Sequence, residues 1–364
     1  MQKRGAFAAT LLYGANNKEL KETKMLKKIV SVLGAALMSL ATVGSVSAEP
    51  VNWNYYGVLP HSHQYSKMMM QAFDNIEEKS GGELNIRFNY FSETPYGVGD
   101  ALRIIRDGLV EMVEWTPAYT AGTFPIMSAP ELPFLIPKLE SAGEAQEATN
   151  KAWQAPVIVE HLNKLMNDYR SVEVAKYYFE PMNFWFTSEV SDLNDIQGKK
   201  IRVFMPVQGE LVNSLGGAPV TVPTTEQYTS LQRNVINGTI TGSGNLEGAK
   251  LAEVLESGYI TNIMMISSRM LVSKKKLDSL DSKLKEIFLA EMAALEKRLA
   301  KVMPERDVTN LEYGRKMGMT FTEASPEDYL RMRKAAQESV WPAWAKDAGP
   351  DASKALEQVL KTQE

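Results

Sequence analysis

Residues 193–245 constrain the fold more than any other stretch, because they place one arginine, Arg202, inside an otherwise apolar strand. Gly198 and Pro206 bracket the short run around Ile201 and Val203, and strand alternation turns Arg202 to the face opposite those two. A guanidinium that faces inward needs an anion. Its planar fork matches a carboxylate through two parallel hydrogen bonds, so the partner is either a carboxylated ligand or an Asp or Glu of the chain itself. Beyond the strand, a helix over 207–215 is stopped by Gly216 and Gly217, and a second strand runs over 218–222. Pro223, Thr224, Thr225 and Glu226 then open a helix reaching residue 233.

This succession resembles the substrate-binding subunits of tripartite ATP-independent periplasmic (TRAP) transporters, of the dicarboxylate-binding type. Their "D-L-K-G-x-K-I-R-V" is matched by Asp195, Gly198, Lys200, Ile201, Arg202 and Val203. The family's second run, "L-G-A-x-P-V-x-x-x-x-x-E-x-Y-x-A-L-Q-x-G-V-x-D-G", is matched by Leu215, Gly216, Ala218, Pro219, Val220, Glu226, Tyr228, Leu231, Gln232, Val235 and Gly238. The resemblance implies that Arg202 clamps a substrate carboxylate, with Thr224 in the turn beside it. Two departures matter. Where the family has a second arginine in "G-x-R", register places Met182, and where it has "D-G-Q-E-N-P" the chain puts Thr241 in place of the amide. With one cation and one amide fewer, a monocarboxylate with an apolar or aromatic body is the expected ligand. Asn245 and Ser243 could supply replacement polar contacts.

The resemblance covers nearly the whole chain after residue 48. It implies an α/β, two-lobed periplasmic-binding-protein fold of the type II-like kind, each lobe a mixed sheet flanked by helices. Crossing strands and a long lobe-spanning helix would join them. Lobe I is expected over 49–178 plus 267–305 and lobe II over 179–266 plus 306–364. Strands alternating with helices predict largely parallel pairing. Apolar positions near 3.6-residue spacing from Leu284 to Leu299 predict a helix over 280–302, broken at Pro304. Another helix over 328–339 is expected to lead into a turn at Trp341, Pro342, Ala343 and Trp344.

Aromatic residues at strand ends are further candidates. Trp115 ends a strand over 111–115, and in open α/β sheets ligands sit in the crevice beyond the strand carboxyl ends, so it is favoured over Tyr119 as a contact. Trp185 could offer a second apolar face. Tyr56 and His61, at the end of the first strand, are expected near the cleft. His61 and His63 lack a third ligand at metal spacing, so neither a metal nor a cofactor is expected. Gly242, Ser243 and Gly244 lack the frame of a nucleophile elbow, and no phosphate-binding or dinucleotide motif occurs.

The front of the chain sets the compartment. Lys27 and Lys28 form a basic start, residues 29–43 an apolar core, and Val46, Ser47 and Ala48 a small-x-small cleavage pattern, so residues 25–48 read as a signal peptide cleaved after Ala48. Residues 1–24 do not fit such a signal and are expected to be an upstream extension, with Met25 the initiator. Of 40 Lys and Arg and 44 Asp and Glu, positions 1–48 hold 7 and 2, which leaves 33 and 42 in the mature chain, a formal −9. That excess of acid argues against a nucleic-acid partner. The absence of cysteine rules out disulfides and thiolate metal sites. The expectation is a monomeric periplasmic solute-binding protein, not an enzyme, that delivers an organic acid to small and large membrane permease subunits. A sensory role or an exported enzyme acting on an organic acid are the alternatives.

Overall fold

The computed structural model describes residues 49–136 and 141–363; the expected signal peptide, its cleavage site and the upstream extension lie outside them. Residues 50–364 form one compact unit. Within it are two sheets. The first has strand order β2-β1-β3-β10-β4, from β1 (Val51–Gly57), β2 (Leu84–Tyr90), β3 (Met112–Trp115), β4 (Ser171–Tyr178) and β10 (Ser267–Ser273). The second has order β11-β9-β5-β8-β6-β7, from β5 (Met182–Phe186), β6 (Lys200–Val203), β7 (Ala218–Thr221), β8 (Gly238–Gly242), β9 (Ser257–Ile260) and β11 (Thr320–Glu323).

The expected parallel pairing holds for β1 with β2 and β3, for β6 with β7 and β8, and for β9 with β11. It fails where the chain changes lobe. The chain leaves sheet one along β4 and enters sheet two along β5, then returns in the opposite direction through β9 and β10, so β4–β10 and β5–β9 are antiparallel. The two crossings are hydrogen-bonded to each other: Phe179 N to Ile266 O at 3.0 Å and Met182 N to Met264 O at 2.8 Å.

The third connection is the helix Ser282–Lys316, which continues through Pro304 instead of ending there. An interior proline costs a helix about 3 kcal/mol through its lost N–H and its ring clash. Here Leu284, Phe288, Met292, Leu295, Leu299 and Met303 are all buried along one side, and each such burial contributes roughly 1.5–3 kcal/mol. Packing therefore outweighs the proline.

The C-terminal region also departs from expectation. Trp341–Ala348 is a helix, not a turn, and it follows the helix Pro326–Ala335 through a single wide turn. The indole of Trp341 donates to Pro133 O at 3.0 Å and that of Trp344 to Pro125 O at 2.8 Å. The last helix, Ala352–Lys361, brings Gln358 Oε1 to Val157 N at 2.8 Å. These contacts tie the end of the chain to residues 125, 133 and 157.

Candidate functional site

A cavity of about 360 Å³ lies between the lobes. Lobe I supplies Val58, Tyr90, Phe91, Ser92, Tyr96, Gly97, Val98 and Tyr119, and lobe II supplies Arg202, Phe204, Thr221, Val222, Pro223 and Thr224. Five of these are aromatic. One is charged.

That one is Arg202, whose residue is only 2% exposed. Its position follows from β6: Ile201 and Val203 pack into the core, and alternation sends Arg202 to the other face. Nε donates to Val222 O at 2.9 Å and Nη2 to Thr224 Oγ1 at 3.0 Å, while the guanidinium carbon lies 4.9 Å from the centre of the Phe204 ring. The three contacts fix the plane of the fork. No carboxylate among the described residues pairs with it. Burial draws its pKa down to about 10, opposed only by Tyr119, so the group stays charged at neutral pH while lacking a counter-ion. An internal ion pair is therefore not what the arginine serves. A buried cation with spare donors at a cavity wall has the chemistry to pair with an anion.

Of the residues singled out in the sequence, Arg202 and Thr224 meet at this cavity. Tyr56 stands behind its wall, stacked on Tyr96 with centroids 6.3 Å apart and edge-on to Phe91 at 5.9 Å. His61 lies outside, paired with Glu93 at 3.0 Å. The indole of Trp115 is buried and donates to Thr120 Oγ1 at 2.9 Å. Met182, Trp185, Thr241 and Asn245 cluster on β5, β8 and the short helix Gly244–Gly248 that follows, and none of them lines the cavity. Trp185 Nε1 donates to Thr241 O at 2.8 Å, Asn245 Nδ2 donates to Thr241 Oγ1 at 2.6 Å, and Met182 is engaged at the crossing through its backbone. Two other basic residues that could have reached the cleft do not line it. Arg269 pairs with Glu173 and lies over Trp153, its guanidinium carbon 4.0 Å from the ring centre, and Lys176 sits on β4 with its backbone bound to Glu296.

Tyr90, Phe91, Tyr96 and Phe204, none of them a candidate from the sequence, line the cavity, and Tyr119 lines it where Trp115 does not. Phe204 was findable, since it follows Arg202 by two positions and alternation puts both on one face. His63 has a structural task. It caps the helix Gln64–Ser80, accepting from Tyr65 N at 3.2 Å, and burial lowers its pKa to about 4 so that the ring is neutral. No group of three potential metal ligands occurs among the described residues, and no described helix is long and apolar enough to cross a membrane.

Comparison with known proteins identifies relatives in sequence and in fold. The ectoine/5-hydroxyectoine-binding periplasmic protein UehA of Ruegeria pomeroyi is 25% identical over 247 residues, which cover 65% of this chain and 68% of UehA. Among solved structures, DctP6, a Bordetella pertussis extracytoplasmic solute receptor binding pyroglutamic acid, superposes with a TM-score of 0.76 at 22% identity, covering 85% of this chain and 100% of that one. A solute-binding protein of a TRAP transporter from an unidentified marine microbe, specific for aromatic acid ligands and solved with 3-hydroxybenzoate, gives a TM-score of 0.74 at 19% identity, with coverage of 87% and 98%. Residues 57–347, well over half of the sequence, match the family described as bacterial extracellular solute-binding protein, family 7, and the chain belongs to that family.

Proposed function

We propose that this family member captures a monocarboxylate with a flat or branched apolar body and hands it to the membrane subunits of a TRAP transporter. One observation carries the ligand class: a single counter-ion-free guanidinium at the wall of a cavity that is otherwise uncharged and rich in aromatic rings. Arg202 neutralises one carboxylate. A second carboxylate would give up water without a matching cation, a desolvation penalty of several kcal/mol per ion. A volume of about 360 Å³ falls at the small end of ligand sites, which run from roughly 300 to 1,000 Å³, so a one-ring acid suits it. Aromatic acids and pyroglutamate, held by two proteins of the same fold, have these dimensions and one acid group. Among the described residues the cavity wall carries no Asp, Glu, His or Lys, and binding without turnover is expected.

A thermal-shift screen followed by calorimetry tests the class. 3-Hydroxybenzoate, pyroglutamate and branched 2-oxo acids should bind at least tenfold more tightly than succinate or malate. A dicarboxylate that outranked every monocarboxylate would overturn the proposal. Closure of the lobes about the paired crossings is the expected response to ligand, because only then do both walls touch one small molecule. Small-angle scattering should show a smaller radius of gyration at saturation. An unchanged radius would exclude closure. We further propose export by the segment 25–48 with cleavage after Ala48, which the mass of the secreted protein checks.

A further inference from the structure

The segment that follows β2 brings hydroxyls to the cavity as well as rings. Tyr90, Ser92 and Tyr96 all line it, and none of their side-chain hydroxyls makes a hydrogen bond to another described residue. The Thr224 hydroxyl, by contrast, is already engaged, because it accepts from Arg202 Nη2 at 3.0 Å. Tyr96 is the most firmly placed of the three. Its ring stacks on Tyr56 with centroids 6.3 Å apart and planes inclined by 30°, and the Arg103 guanidinium carbon lies 5.9 Å from its centre.

The backbone on either side of Tyr96 is tied into the same network. Arg103 Nε and Nη2 donate to Asp100 Oδ1 at 3.2 and 3.0 Å, and Asp100 Oδ2 accepts from Gly97 N, the next residue after Tyr96, at 3.0 Å. On the other side Tyr96 N donates to Thr94 Oγ1 at 3.3 Å, and that hydroxyl donates to Phe91 O at 2.8 Å. The phenol therefore sits on a ring whose position is set before any ligand arrives, so meeting it costs little ordering entropy. Arg103 is already paired with Asp100, so what the phenol offers is a hydrogen bond without a free positive charge.

We infer that Tyr96 is a specificity-determining residue whose phenol reads an uncharged polar group, a hydroxyl or a ring carbonyl, carried by the acid away from its carboxylate; the inference rests on the carboxylate-clamp reading proposed above. A one-ring acid that fills about 360 Å³ meets the walls of both lobes. With its carboxylate on Arg202, its remaining edge takes the place of solvent at Tyr96. An edge bearing a hydroxyl or carbonyl gives the phenol a partner. A hydrocarbon edge leaves the phenol unmatched, and a site built around a hydrogen-bonding group rejects the analogue that lacks the complementary one.

Calorimetry on the full mature chain with two matched pairs tests this: 3-hydroxybenzoate against benzoate, and pyroglutamate against cyclopentanecarboxylate. In the wild type the polar member of at least one pair should bind more tightly by between about five- and hundredfold, the range expected when one polar group loses its partner. Tyr96→Phe keeps the ring on Tyr56 and Arg103 and removes only the hydroxyl. It should weaken the polar acid, leave the apolar one unchanged or tighter, and bring their ratio to within about threefold of unity. A merely structural role would weaken all four acids together and keep the preference, as Arg202→Ala should. Equal affinities within both pairs would overturn the inference and leave the carboxylate clamp standing, and so would a preference that survives Tyr96→Phe. Failure of all four acids to bind the wild type would overturn the clamp, and this inference with it.

Discussion

Replacing Arg202 with alanine should weaken binding of the tightest acid from the screen by between about 30-fold and several thousandfold. Removing one member of a buried charged pair typically costs about 2–5 kcal/mol, much of it from leaving the other charge unmatched. The ligand carboxylate would be that stranded charge, because among the described residues no other cation lines the cavity. Arg202→Lys should not restore binding. An ammonium group is a point charge and cannot hold Val222 O and Thr224 Oγ1 while presenting a planar pair of donors outward. Arg202→Met keeps much of the side-chain volume and separates loss of charge from loss of packing. In the ligand-free protein the guanidinium is buried without a counter-ion, so the Met variant should unfold at the same temperature as wild type or a higher one. Calorimetry that found wild-type affinity in Arg202→Ala would remove the carboxylate clamp.

Arg202 was legible because a charge in a short β-branched strand is conspicuous and because the next forty residues follow a recognisable succession. The rest of the cavity wall was not, for three different physical reasons. Tyr90, Phe91 and Tyr96 lie at the end of β2 and in the irregular segment beyond it, where no periodicity reports which side chain faces inward. Strand carboxyl ends point toward the crevice, which favours Trp115, but the turn after β3 folds its indole onto Thr120 and carries Tyr119 forward instead. Met182, Thr241, Asn245 and Trp185 came from register along the strands. Register fixes how far along a strand a residue lies and, without the partner strand, leaves open which surroundings its side chain enters. An amphipathic helix such as Ala352–Lys361 likewise announces that one face is buried, but not against which element.

The hinge offers the second large effect, in the pH dependence of stability. Glu180 lies on the crossing between β4 and β5 and is only 3% exposed. Tyr65 of lobe I donates to Oε1 at 2.9 Å, and Asn310 of the long helix does so at 3.4 Å. Lobe II approaches so closely at Gly244 that a Cβ there would lie 2.8 Å from Oε2. Burial lifts the Glu180 pKa to about 7, with the Asp307 carboxyl adding to the rise and Tyr65 and Arg306 opposing it. A carboxyl whose folded pKa exceeds its unfolded value of 4.5 binds more protons when folded, so its contribution to stability falls as pH rises from about 4.5 to 7 and is level above that. His63, lowered from 6.5 to about 4, has the opposite slope over 4 to 6.5, so the two partly cancel in the wild type below that point. Glu180→Gln isolates the carboxyl, because the amide oxygen still accepts from Tyr65. At one pKa unit per 1.36 kcal/mol the variant should be more stable than wild type by about 1–3 kcal/mol at pH 8, and the gain should vanish near pH 4. Denaturant unfolding at both values checks it: a difference of equal size at pH 4 and pH 8 would mean that packing around the amide, and not a proton held at the hinge, sets the stability of this junction.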